Sequence, residues 1–264
     1  MPHRTWASRV ERARKLAASD LPSRNLLAFY AALLDVQRAI HEQLARQPAP
    51  LAGALHQDLP VLRPLMPPLL QVVATAGPTS LARAARELSG NGDSSLEPLL
   101  VDYWQTLSTG DAPGRAFFAK ACLQPYARWL VDSKTPIVRD RLRDRNRCPA
   151  CGGAPQAGIM QRLGSEGATR SLLCALCLST WHFQRVVCAS CGERDERKLG
   201  YYNSPSYPHV RVEVCDTCRH YIKSVDLSVL GIADPLVDEL AAASLDLWAR
   251  EHDYVKIELN LVGL

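Results

Sequence analysis

Eight of the nine cysteines form four Cys-x-x-Cys pairs: Cys148 with Cys151, Cys174 with Cys177, Cys188 with Cys191, and Cys215 with Cys218. The turn inside such a pair points both sulfurs the same way, and two pairs can close a tetrahedral thiolate site on one ion. The pairs fall into two units, with 22 residues between the pairs of the first and 23 between those of the second. The second unit repeats the first at an offset of 40 residues for the leading pair and 41 for the trailing pair. Each gap is long enough for a hairpin or small sheet. Sequential closure, with Cys148, Cys151, Cys174 and Cys177 on one ion and Cys188, Cys191, Cys215 and Cys218 on another, follows most simply from the repeat. A cross-braced pairing is the alternative. Gly152 and Gly192 follow the leading pairs. Glycine permits positive φ there, so backbone N–H groups can turn toward the sulfurs.

Other chemistry fits less well. A disulfide framework requires an oxidising compartment, and no strand–Cys-x-x-Cys–helix context points to thioredoxin-like exchange. Eight thiolates fill two four-coordinate sites, which leaves His182, His209 and His220 spare. Sites closed by four sulfurs offer no open position, and this argues against hydrolysis at the metal. Trp181, Phe183, Tyr201, Tyr202, Tyr207 and Tyr221 read as packing around metal loops in modules with little core. Cys122 lies among apolar residues of AFFAKACLQPY and reads as a buried, inert thiol.

The elements that must position these residues start with helices. In LLAFYAALLDVQRAIHEQL, apolar residues recur every three or four positions from Leu26 to Leu44, with Asp20 and Pro22 near the expected start. Similar patterns cover about 62–75, 78–89, 94–107 and 114–133, interrupted by GPTS and SGNGDSS. A multi-helix bundle follows. RDRLRDRNR, residues 139–147, has a formal charge of +3 and reads as a solvated connector or a phosphate-binding stretch. After the cysteines, ADPLVDELAAASLDLWAREHDY reads as one amphipathic helix capped by Asp234, with Pro235 in its first turn and Leu236, Leu240, Leu247 and Trp248 on one face. The expected architecture is α+β: a helical domain (1–147), two tandem rubredoxin-like or zinc-ribbon modules (148–185 and 186–232), and a C-terminal helix and tail (233–264).

The first twenty residues lack the continuous apolar stretch of a secretory signal, and the longest apolar run, LLAFYAALL, is half of what a bilayer span needs. The expected location is therefore the cytoplasm, without membrane insertion. The net charge of +4 is uneven: residues 1–147 carry 20 Lys/Arg against 13 Asp/Glu, and residues 148–264 carry 11 against 14.

The array CPACGGAP, CALCLSTWHFQR, CASCG and VEVCDTCRHYIKSVDL resembles the bacterial formate dehydrogenase accessory protein FdhE family. NLLAFYAALLDVQ and SLDLWAREHDY are similar as well. The most specific parts are the four cysteine pairs, the spacing of Trp181 and Arg185, and the YIKSVDL after Cys218. The resemblance implies a helical domain followed by two rubredoxin-like modules, with iron as the associated metal. It implies a cytoplasmic, non-enzymatic factor that acts on the molybdopterin-containing catalytic (alpha) subunit of respiratory formate dehydrogenase before export. The residues alone accept zinc as readily as iron.

The competing class is a nucleic-acid-binding double zinc ribbon. Residues 148–223 have nine Lys/Arg and six Asp/Glu, a formal +3. Each site of four thiolates around a divalent ion would add −2, leaving about −1, whereas nucleic-acid binding needs a clearly basic face. The charge therefore favours an accessory factor.

Overall fold

A computed structural model describes residues 5–90, 93–107, 113–138, 145–162 and 167–263. Among these residues seven α-helices come first: α1 (Trp6–Ala17), α2 (Arg24–Ala45), α3 (Leu55–Leu62), α4 (Pro67–Ala76), α5 (Thr79–Gly90), α6 (Asp93–Thr106) and α7 (Pro113–Asp132). The segment WASRVERARKLA gave no helical expectation, yet Thr5 caps it as α1 by accepting from Ser8 N, and Trp6, Val10 and Ala13 enter the core. α2 starts at Arg24 rather than near Asp20. The single pattern expected at 62–75 is broken. α3 ends at Leu62, a short 3-10 turn carries Pro64, and α4 restarts with Pro67 at its first position. Most of the 139–147 connector lies outside the described residues. Its end is anchored by Asn146, whose Nδ2 donates to Ser190 O at 2.8 Å.

Among the described residues the seven strands are β1 (Pro155–Arg162), β2 (Ala168–Cys174), β3 (Thr180–His182), β4 (Leu199–Asn203), β5 (Val210–Cys215), β6 (His220–Asp226) and β7 (Val255–Lys256). Each cysteine unit builds a three-stranded antiparallel piece, β1-β2-β3 and β4-β5-β6. The two pieces join through a parallel pairing of β1 with β6, giving one sheet in the order β3-β2-β1-β6-β5-β4, with β7 on β6. Gly158 makes that junction possible, since a Cβ there would stand 2.0 Å from Ser224 Oγ on the facing strand.

The C-terminal segment differs from the single helix expected. α8 (Pro235–Ala241) and α9 (Ala243–Glu251) are separated at Ala242, where ψ is 42°. Asp234 caps α8 by accepting from the N–H groups of Leu236 and Val237. At the break, the ammonium of Lys223 on β6 takes the carbonyls of Glu239 (2.6 Å) and Ala242 (3.2 Å). A buried cation thus replaces helical N–H donors at the α8 end. Leu236 and Leu240 are buried by this turn, while Leu247 is exposed.

One core runs from the bundle into the first cysteine unit. Leu123, Tyr126 and Ala127 of α7 share it with Cys148, Cys151, Cys174, Cys177, Ile159 and, from α8, Leu236 and Leu240. The second unit packs smaller clusters, around Val212, Tyr221 and Leu245 on one side and Phe183 and Ile222 on the other. No single helix among the described residues is long and apolar enough to cross a membrane; α3 and α4 meet that test only jointly and are bent by 55°.

Candidate metal centres

The sequence-predicted cysteines gather as two groups of four, Cys148/Cys151/Cys174/Cys177 and Cys188/Cys191/Cys215/Cys218, with the sulfurs of each group within 4.8 Å of one another. Each unit closes on itself, and the cross-braced alternative is not what the chain forms. Across the first group, Cys148 and Cys177 sulfurs are 3.5 Å apart and Cys151 and Cys174 sulfurs 3.4 Å. In the second, the corresponding separations are 3.7 and 3.8 Å. A tetrahedron with metal–sulfur bonds of about 2.3 Å has edges of roughly 3.8 Å, so both groups could hold an ion.

The backbone explains why the sulfurs converge. Gly152, Leu178, Gly192 and Arg219 each follow the second cysteine of a pair, and all four have positive φ, at 75°, 57°, 79° and 56°. The left-handed residue closes the knuckle: Gly152 N donates to Cys148 O and Gly192 N to Cys188 O. The trailing pairs reach the same conformation without glycine, a feature that the glycine pattern did not reveal. Main-chain N–H groups then point at sulfur, from Gly153 to Cys151 (3.4 Å), Leu176 to Cys174 (3.3 Å) and Ser190 to Cys188 (3.3 Å). Such donors stabilise thiolate charge.

The thiols of the first group shift one another's protonation. Hydrogen bonds from Cys151, Cys174 and Cys177 hold Cys148 far below the usual thiol range. Contact with Cys148 pushes Cys151 up, and burial pushes Cys174 up. Four sulfurs packed this closely suit a divalent cation. The surroundings differ between the groups. All four cysteines of the first are buried, whereas Cys191 is exposed and Cys218 half-buried.

Helices α7 and α2 support the first group through residues that sequence reading did not single out. Gln124 Nε2 donates to Ala175 O at 2.7 Å, inside the Cys174–Cys177 turn, and Gln37 Nε2 donates to Gln124 Oε1 at 3.1 Å. The histidines stay outside both groups: His209 Nε2 lies 2.9 Å from Asp238 Oδ1, and His220 Nδ1 lies 2.7 Å from Cys218 O. Tyr201 and Tyr202, expected to pack around the loops, are instead 65 % and 46 % exposed. Tyr202 rests against Trp248, with ring centroids 4.5 Å apart. Cys122 is fully buried, and burial pushes its thiol up to about 12. An unreactive thiol results.

Family models match the paired-cysteine region: "FdhE, central domain" over residues 147–185 and "FdhE, C-terminal domain" over residues 186–262. An FdhE homologue of Aquifex aeolicus is 32 % identical over 197 residues, covering 74 % of this chain and 68 % of that one. The chain belongs to the FdhE family. An FdhE homologue of Haemophilus ducreyi is 24 % identical over 278 residues, 98 % of this chain and 89 % of the other. Another, from Pseudomonas aeruginosa, is 34 % identical over 152 residues, which span about half of that relative. The crystal structure of the FdhE protein from Pseudomonas aeruginosa superposes with a TM-score of 0.73 at 25 % identity, covering 99 % of this chain and 96 % of that chain. The likeness to FdhE thus extends through the helical part, outside the matched family models.

Proposed function

We propose that this chain is a non-enzymatic accessory factor for respiratory formate dehydrogenase. It binds the molybdopterin-containing catalytic subunit in the cytoplasm during assembly, before export, and carries two metal ions on its eight paired cysteines. The observation behind this reading is FdhE family membership in a chain whose eight cysteines form two self-contained groups. Four sulfurs per ion leave no coordination position for a small substrate, which suits a factor whose substrate is a protein. In this reading residues 1–147 form the helical domain, 148–185 and 186–232 the metal modules, and 233–264 the segment that ties them together.

The resemblance favours iron. Four-thiolate iron can pass one electron without an open site, whereas zinc has no accessible redox change. Metal analysis and the visible spectrum of anaerobically purified protein decide the metal. Deletion of the gene is expected to abolish respiratory formate dehydrogenase activity while leaving transcription of its genes intact, and pull-down is expected to recover the catalytic subunit. Untouched activity together with no captured subunit would overturn the reading. Complementation with zinc-loaded protein separates two roles: full restoration makes the modules scaffolds, and lost activity with retained capture makes them redox centres.

A further inference from the structure

A cavity of about 620 Å³ lies where the bundle, the first metal module and α8 meet. The sheet lines it through Gln161, Ser171 and Leu173, α1 through Arg9, α7 through Arg128, and the cap of α8 through Asp234. Its size is that of a ligand pocket.

The cavity is lined by residues carrying five buried polar atoms without a hydrogen-bond partner: Arg9 Nε, Asp234 Oδ2, Gln161 Oε1, Ser179 Oγ and Trp181 Nε1. The Arg9 and Asp234 side chains are 6 % and 2 % exposed, yet their facing atoms stand 3.7 Å apart, beyond hydrogen-bond reach. Buried polar atoms are normally paired, so five on the residues that line one cavity favour a polar occupant there. Two are donors, two are acceptors, and the hydroxyl can do either. Their complement is a group that both donates and accepts, as an amide does.

The neighbouring sheet edge narrows the choice. β3 ends the sheet, and no strand covers its outer side among the described residues. Cys174 N donates to Ser179 O, and Phe183 N donates to Arg170 O. Antiparallel alternation therefore turns the N–H and C=O groups of Thr180 and His182 outward. Both residues are exposed and line the cavity. A strand added beside them would send alternate side chains to the cavity face.

We infer that the β3 edge and this cavity hold an extended peptide segment of the client, main chain paired with Thr180 and His182 and an asparagine or glutamine side chain turned inward. The inference rests on the maturation reading, and its test is built to fail separately. The probes are overlapping short synthetic peptides spanning the formate dehydrogenase catalytic subunit, with binding to full-length, metal-loaded protein followed by fluorescence anisotropy. Thr180→Pro deletes one outward N–H at an edge that tolerates proline, and Trp181→Phe keeps an aromatic ring while deleting the indole donor.

One contiguous group of peptides is expected to bind. Each variant should weaken that binding roughly tenfold, with metal content and circular dichroism unchanged. Alanine in place of the peptide's asparagine or glutamine should do the same, and this arm does not depend on how any protein variant folds. Absence of peptide binding, or binding that none of the three changes weakens, overturns the inference and leaves the cavity to ordered water. Capture of the whole subunit by wild-type protein, measured alongside, decides the maturation reading: capture without peptide binding at this edge leaves that reading standing.

Discussion

A methyl group on residue 153 would land 2.9 Å from Cys174 Sγ and 3.2 Å from Cys151 Sγ. Glycine at this position is therefore required by the crowding of sulfurs. Gly153 also donates its N–H to Cys151, so its backbone cannot retreat without loosening a ligand. Gly153→Ala is expected to weaken metal binding at the first centre by about 10-fold or more, the scale of an outer-shell defect. The second centre should be unaffected, so competition with a chromophoric chelator should resolve one shifted ion and one unshifted ion. A uniform shift would show that the centres are energetically linked, and no shift would show that the first knuckle adapts. The sequence makes the eight cysteines and the two glycines after the leading pairs legible. It does not make Leu178 and Arg219 legible as left-handed residues, because their conformation is imposed by knuckle closure rather than by their own preferences.

At the scale of elements, the C-terminal segment shows how a local pattern is overridden. The periodicity of ADPLVDELAAASLDLWAREHDY continues through Ala242, but the sheet places a buried lysine opposite that residue. Lys223 is surrounded by Glu239 (3.2 Å), Asp246 and the carbonyls of Glu239 and Ala242, while Lys256 sits 3.1 Å from Asp246 and also contacts Glu239. Tyr221 donates to Asp246 at 2.8 Å, and Asn260 to Glu239 at 3.2 Å. Burial alone would raise the Asp246 carboxyl, but Lys223 and Lys256 bring it below its ordinary range. Tyr221 and Lys223 belong to YIKSVDL, so one of the more specific parts of the sequence turns out to brace the α8–α9 turn. Lys223→Met leaves Glu239 and Asp246 with one ammonium between them. The expected loss is about 3–5 kcal/mol, the usual result of removing one partner from a buried ionic set, measured as a lower urea midpoint at unchanged metal content. A change below ~1 kcal/mol would mean that water enters to replace the ammonium.

At the scale of the whole molecule, the two centres differ in access and in what depends on them. The first is enclosed by the core that α7 and α8 share with it, and the second has an exposed Cys191. Chelation is therefore expected to be biphasic, the second centre releasing its ion first. Cys188→Ser with Cys191→Ser should remove the fast phase and about half of the metal, since each unit gathers its own four sulfurs. The corresponding Cys148→Ser with Cys151→Ser variant should remove the slow phase and also lower the thermal midpoint of the helices, because its knuckle is part of their core. Fast release from both centres would show that the bundle gives the first no protection. A single loss of all metal in either variant would show one folding unit.

Residue types and their spacing establish the chemistry: which residues are thiols, how far apart they stand, that they repeat as two units, and that helices precede them. These properties are local, fixed by residue type and by spacings of a few to about two dozen positions. Folding in three dimensions adds that the two units share a sheet through β1 and β6, that Gln124 serves the first knuckle from α7, and that Arg9, Trp181 and Asp234 line one cavity. Those contacts join residues far apart in sequence through complementary shape and hydrogen bonding, and no periodicity in a single chain records them. Trp181 carries both readings: as a sequence position it is one more aromatic beside a metal loop, and in the fold it lines the cavity beside α1 and α8, its indole N–H buried without a partner.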